Sequence, residues 1–301
     1  MENTDFEVII IGGSYAGLSA AMSLGRSLRR TLVIDSGKPC NAQTPHSHNF
    51  LTQDGQTPKQ IALLGREQVD HYPTVKFHNG MATTGSKTDD GFEIATAGGD
   101  TFNAKKLIFA TGLKDQMPDI GGYAECWGIS VIHCPYCHGY EVKNEKTGIL
   151  GNGDGGFEYA KMISHWTKDL TIFTNGPSEL TPQQTEKIST RNIRIVDKPI
   201  ASLIHKNGLL EKIVFKDQSE EPITAIYSRP AFKQHSEIPE QLGCALTETG
   251  LIKLETFQQT TIPGIYAAGD NSHMARSVAL AVSAGSMAGA LINRELIEEA
   301  F

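Results

Sequence analysis

The residues whose types and spacing most directly carry chemistry are two cysteines two residues apart, in Cys134-Pro135-Tyr136-Cys137. A C-x-x-C pair closes a small redox-active disulphide, and local geometry lowers one thiol's pKa so that it exchanges with other disulphides. His138 follows directly and is a candidate general acid/base for the thiol protons near neutral pH. Zinc is a rival use, because Cys126, His133, Cys134, Cys137 and His138 are all of ligand type. No second C-x-x-C or H-x3-H partner accompanies them, so no metal is expected. A thioredoxin-like domain also uses C-x-x-C, but near its start and after a strand, which is not where this pair lies.

The pair needs elements to position it. Phe6–Ile11 is a short apolar run ending in Gly12-Gly13-Ser14-Tyr15-Ala16-Gly17. A helical stretch, Leu18 to Leu28, follows, and Thr31–Ile34 is a second β-type run ending in Asp35, with Ser36 beside it. This is a βαβ unit with a glycine turn at its first crossover. Glycines let the backbone turn tightly, and the helix N-terminus offers N–H groups to a pyrophosphate. Asp35, 23 positions after Gly12, stands where a carboxylate bonds a ribose diol. Ser14 replaces the second glycine of G-x-G-x-x-G. Gly12 to Ala16 also resembles the elbow of a serine hydrolase, but that reading leaves Asp35 and the second glycine unit unexplained.

The same unit recurs. Lys146–Leu150 ends in Gly151-Asn152-Gly153-Asp154-Gly155-Gly156, a helical stretch runs from Phe157 to Trp166, and Leu170–Phe173 is the next strand. Here the pattern is complete at Gly151, Gly153 and Gly156, and Asp154 and Asn175 join them as candidate contacts. Two such units in one chain imply two dinucleotides. The position 23 after Gly151 is Thr174, not an acid, and Thr174-Asn175-Gly176 supplies no arginine; Lys168 is the nearest base in sequence.

Two further segments complete the frame. Lys106–Gly112 is a strand ending in Ala110-Thr111-Gly112. Ile262–Asp270 is another ending in Gly269-Asp270, followed by a small-residue helix, Ser277 to Leu296. An acid before that helix can bond a ribitol hydroxyl, and the helix N-terminus faces polar flavin atoms. The expected fold is α/β, with two Rossmann-like three-layer nucleotide-binding domains, the second inserted into the first. The boundaries are 1–113 with 236–301 for the outer domain and 114–235 for the inserted one, which presents the C-x-x-C.

The rest of the chain narrows the function. Its 301 residues carry a formal net charge of −7, which argues against nucleic acid as a partner. The longest apolar stretch, Val278 to Ile292, is too short and too polar to span a membrane, and Met1 to Glu7 does not read as a signal peptide. Five cysteines, an odd number, disfavour a secreted disulphide framework and give a cytoplasmic expectation. Arg29-Arg30 and Lys105-Lys106 read as solvated charge, and Met274 and Met287 as core packing. Cys126 and Cys244 read as small buried residues, Cys40 as close to the first nucleotide, and Glu141 as a salt-bridge or helix-side residue rather than a catalyst. His46, His48 and Asn49 lie on a loop that is either solvent-exposed or lines a flavin.

In this order of parts the chain resembles the low-molecular-weight thioredoxin reductase family of pyridine nucleotide–disulphide flavoenzymes, over nearly its whole length. The resemblance implies FAD in the outer domain, NADPH or NADH in the inserted one, a homodimer, and a thioredoxin-like or small disulphide substrate. It also implies roles. Cys137 faces the flavin, Cys134 attacks the substrate disulphide, His138 manages the thiol protons, and Asn49, Thr111 and Asp270 contact FAD. There are departures. His138 stands where reductases carry an acid, and Thr174-Asn175-Gly176 stands where they carry His-Arg-Arg. Val278-Ala279 stands in place of their Arg-Gln pair at the flavin, which makes Ala279 a candidate contact. Cys134 to Glu141 and the Gly-Gly-Ser-Tyr-Ala-Gly start resemble the branch whose dithiol oxidases close disulphides in products such as gliotoxin and holomycin. There, electrons run from substrate dithiol through C-x-x-C to FAD and O2.

Overall fold

The computed structural model describes residues 5–301; Met1 to Thr4, the start of the segment read above as lacking a signal sequence, lie outside the described residues. The Asp5–Ile11 strand runs through the middle of the first sheet. Its Val8-Ile9-Ile10-Ile11 run is buried on both faces, as a central parallel strand requires. It pairs in parallel with Thr31–Asp35 on one side and Thr101–Phe109 on the other. Val75–Asn79 extends the sheet beyond Thr31–Asp35, and Ile265–Ala267 extends it beyond Thr101–Phe109. An antiparallel flap, Ala82–Thr88 and Gly91–Thr96, turns back onto Thr101–Phe109.

Two helices cover one face. The first, Tyr15–Arg26, starts inside the glycine turn, and the chain leaves it through Leu28 at φ 60°. The last, Val278–Ala300, is capped by Ser277, whose hydroxyl accepts from the Leu280 N–H at 3.2 Å. These helices touch backbone to backbone. A Cβ on Gly285 would lie 2.0 Å from the Ala16 carbonyl oxygen, so only glycine permits this approach.

The second sheet is wholly parallel, in the spatial order Arg194–Val196, Leu170–Phe173, Thr147–Leu150, Ala225–Ser228, Val131–Ile132. The helix Gly153–Ile163 crosses between Thr147–Leu150 and Leu170–Phe173. A three-stranded meander, Ile200–Lys206, Leu209–Phe215 and Glu220–Pro222, packs beside it. The two passages between the sheets pair antiparallel with each other, Leu113–Asp115 with Phe232–Gln234.

Three readings from sequence need correction. The helices begin earlier than their apolar stretches, because the glycine motifs themselves form the first turn. The basic pairs are not simply solvated. Arg29 bonds Glu7 and the Asn293 side chain at 2.7 Å each, and buried Lys106 bridges Glu295 and Glu299. Met274 and Met287 are not core residues, being 62% and 39% exposed, whereas Cys126 and Cys244 are buried as expected.

Candidate active site

The redox pair sits at the start of a single helical turn, Pro135–His138, with Cys134 as its N-cap and Pro135 in its first position. The Cys137 thiol donates to the Cys134 sulphur at 2.8 Å. That donor, the backbone N–H groups of Cys137 and Tyr136, and the nearby Arg229 guanidinium outweigh burial and bring the Cys134 thiol down to about 7. The Cys137 thiol moves the opposite way, because it holds the proton for Cys134, is buried, and faces Asp270. The two sulphurs are thus unequal: one is half ionised at neutral pH and the other holds its proton.

His138 is neutral at pH 7. Burial lowers its pKa, Glu141 partly opposes this, and His48 adds to it. The rings of His138 and His48 meet edge to face, 6.2 Å between centroids. His48 approaches Glu141 at 3.5 Å and Asp54 at 3.7 Å, linking the His46–Asn49 loop to the segment after the cysteines. Glu141 thus faces the His48 ring, a contact that becomes an ion pair only when that ring is protonated. His46 is exposed and bonds the Gly55 carbonyl, and exposed Asn49 has φ 60° with its N–H on Asp54.

Side chains that sequence reasoning passed over hold this region together. Arg276 makes a two-pronged pair with Asp115 at 2.7 and 3.1 Å and reaches Asp270 at 3.3 Å. Burial raises the Asp270 pKa, and Arg276 opposes the rise. Cys40, exposed as a residue, turns its thiol to this cluster, and burial and Asp270 push it up to about 11. His133, just before the pair, is held down to about 4 by burial and by Arg276 and Arg229. The only sequence signal for Arg276 was its place between Asp270 and the last helix.

The first glycine turn brings a helix start tightly against the strand ends. A Cβ at Gly12 would lie 2.3 Å from the Ala110 carbonyl oxygen, and one at Gly17 would lie 1.8 Å from that of Gly12. These glycines let the Tyr15–Arg26 helix start directly at the strand end. Its N-cap Ser14 makes no side-chain cap, so the first-turn N–H groups of Tyr15, Ala16 and Gly17 stay open to an external acceptor. The Asp35 carboxylate closes one side, accepting from Gly13 at 3.0 Å and Gly37 at 3.2 Å, with exposed Ser36 between. Ala110, Thr111 and Gly112 leave the neighbouring strand on the other side, and Gly269 and Asp270 leave the next. Asn271 adds an orphaned acceptor: its Nδ2 bonds the Phe109 carbonyl at 2.8 Å, while its buried Oδ1 has no partner among the described residues. Exposed Ala279 lies in the first turn of the last helix.

The second turn has the same backbone plan. Gly151 packs on Gly156, where a Cβ would meet the Gly151 carbonyl carbon at 2.9 Å, and Gly153 sits at φ 52°. Its side chains differ. Asn152 caps Gly153, exposed Asp154 bonds Gln184, and the Asn175 amide oxygen holds the Ile200 N–H at 2.7 Å. Thr174 is buried, with its hydroxyl on the Gly176 carbonyl. Lys168 bonds the Ser164 carbonyl at the far end of the helix, ~16 Å from the turn at 1.5 Å per residue. It therefore does not read a phosphate at the turn.

A family profile described as pyridine nucleotide-disulphide oxidoreductase matches residues 6–288. The protein named thioredoxin reductase tcpT from Claviceps purpurea is 33% identical over 304 residues, spanning 97% of this chain and 95% of its own. Thioredoxin reductase sirT from Leptosphaeria maculans is 31% identical, spanning 96% and 93%. Among solved structures, an oxidoreductase from Agrobacterium tumefaciens is 37% identical with a TM-score of 0.91, covering 98% of this chain and 99% of its own. A putative thioredoxin reductase TrxB from Bacillus anthracis is 31% identical with a TM-score of 0.93, covering 98% and 100%. With this match along nearly its whole length, the chain belongs to the pyridine nucleotide-disulphide oxidoreductase family and is a thioredoxin reductase-like, flavin-dependent disulphide oxidoreductase.

Proposed function

We propose that this enzyme exchanges two electrons between FAD and a substrate disulphide or dithiol through Cys134 and Cys137. The observation that carries the reading is the unequal pair: Cys134 is brought down to about 7 while Cys137 donates to it. FAD, when bound, supplies or receives the two electrons that open or close the Cys134–Cys137 bond. Gly12 to Gly17, Asp35, Ser36, Asn49, Ala110 to Gly112, Gly269, Asp270 and Ala279 would hold it. What supports this is the open helix start, the strand-end carboxylate and the unpartnered Asn271 acceptor.

In the reducing direction the Cys134 thiolate attacks one sulphur of the substrate disulphide and expels the other as thiolate. Cys137, giving its proton to the adjacent His138 imidazole, then attacks the Cys134 sulphur and expels the second substrate thiolate. The protein is left as a disulphide and the substrate has gained two electrons. Neutral His138 is able to accept that proton. NADPH or NADH is the electron source in this reading, through Gly151, Gly153, Asp154, Gly156 and Asn175, and the complete glycine pattern supports it. The domain limits 1–113 with 236–301 and 114–235, a homodimer and a cytoplasmic setting go with it. Among the described residues no helix is long and apolar enough to cross a membrane.

The second reading runs the same exchange backwards, from substrate dithiol to O2. The acidic Asp154 in the first helical turn and the placing of Lys168 at the far end of that helix favour it. Anaerobic titration separates the two. Bleaching of the flavin by NADPH or NADH supports the reductase. Bleaching only by a small dithiol, with recovery in air, supports the oxidase. Cys134→Ser should abolish turnover in both, and surviving turnover would overturn the exchange itself.

A further inference from the structure

We propose that Asn152 and Glu179 form a latch over the second glycine turn, so that a nicotinamide dinucleotide reaches it only by displacing them. This rests on the family reading of that turn as a nucleotide site, and it names the residues that set its affinity.

Three observations meet there. The Asn152 side chain binds both the turn and the loop above it. Its Oδ1 accepts from the Gly153 N–H at 2.9 Å and from the Glu179 N–H at 2.8 Å, and its Nδ2 donates to the Pro177 carbonyl at 2.9 Å. The Gly153 N–H is the first donor of the Gly153–Ile163 helix, one of the groups a pyrophosphate would need. The Glu179 carboxylate stands against the same spot, since a Cβ on Gly153 would lie 3.6 Å from its Oε2. The loop reaches back this far because Asn175 at φ 53° and Gly176 at φ 144° turn the chain over the strand ends.

The charge is wrong for phosphate as well as the shape. Asp154 places a second carboxylate in the first helical turn, bonded to Gln184 at 2.7 Å. The first glycine turn is arranged differently. Its helix start carries no side-chain cap, and its acid comes from the strand end, where a ribose would sit. At the second turn the strand-end position is the inward-turned Thr174, and the acid stands where the phosphates would lie.

The test measures binding rather than turnover. NADP+ and NAD+ are titrated by calorimetry into flavin-loaded wild type, Glu179→Gln and Asn152→Ser. Glu179→Gln keeps shape and removes charge on an exposed residue; Asn152→Ser keeps a helix cap but cannot span to Pro177. Both variants should bind at least one nucleotide about tenfold more tightly than wild type, with the Glu179→Gln gain shrinking as salt rises. Equal dissociation constants in all three proteins, or no binding by any of them, would overturn the latch. Neither result touches the exchange reading, which stands or falls on Cys134→Ser turnover with a dithiol.

Discussion

The Cys134 thiolate is stabilised mainly by one donor, the Cys137 thiol, with backbone N–H groups and Arg229 assisting against burial. Cys137→Ala removes that donor and leaves the burial, so the Cys134 pKa should return to about 9 or above. At pH 7 the thiolate fraction then drops from about one half to about 1%, roughly 50-fold. Each remaining thiolate is more nucleophilic, by roughly six- to tenfold for two pKa units at a Brønsted slope of about 0.4 to 0.5. The expected net effect is roughly five- to eightfold slower alkylation of Cys134 by iodoacetamide at pH 7. The two profiles cross at about pH 8, above which the variant reacts faster. Mass spectrometry of the Cys134 peptide from the reduced protein reads the rate at each pH. Cys137→Ser, which keeps a donor, should fall between the two. A wild-type midpoint at the ordinary thiol value, unmoved by Cys137→Ala, would refute the hydrogen-bonded pair.

His133 is held to about 4 in the folded protein against an ordinary 6.5, so the unfolded chain takes up its proton first. Stability should therefore fall as pH drops from 6.5 towards 4, by up to ~1.4 kcal/mol per pH unit, and His133→Gln should flatten that slope in urea titrations. Lys106→Met should destabilise by ~2–4 kcal/mol, since it leaves Glu295 and Glu299 unpaired beside Tyr266, and the urea midpoint reads this directly. Asp270→Ala should lose flavin on dialysis while Arg276 keeps its pair with Asp115; a variant that stays fully yellow would remove Asp270 from the cofactor site.

Local chemistry was what the sequence displayed. Both glycine turns, the strand-end Asp35 and the cysteine pair are written in runs of a few residues, because a tight turn or a short disulphide loop is a local demand. The helix starts were misjudged because Gly153 to Gly156 look like a loop, yet they form the first turn of a helix. Lys106 and Met287 were misread for one reason. Burial depends on what the last helix brings, and that helix supplies Glu295 and Glu299 from 189 and 193 positions away. Arg276 was invisible for the same reason, since its main partner Asp115 lies 161 positions distant. The latch lay in plain view as Asn152 and Glu179, but only the fold shows that the loop after Leu170–Phe173 doubles back over the turn.

The direction of electron flow is not decided at the thiols. In the exchange we propose, a mixed disulphide forms on the Cys134 sulphur whichever way it runs. Reduction needs Cys134 as attacking thiolate, and oxidation needs it as the leaving thiolate when the substrate's second sulphur closes its own bond. A thiol at about 7 serves both, being ionised when it attacks and stable when it leaves. The Cys137-to-Cys134 hydrogen bond sets this order, and the charges add to it, with Arg229 on the Cys134 side and Asp270 on the Cys137 side. What differs between a reductase and an oxidase is how electrons enter or leave the flavin, and that difference falls on the second glycine turn. If Asn152 and Glu179 hold that turn closed, a substrate dithiol meets a half-buried cysteine pair while a nicotinamide meets a capped N–H and a carboxylate. Weakening the latch should then raise nucleotide affinity without changing the pH profile of Cys134, because among the described residues no hydrogen bond joins the two sites.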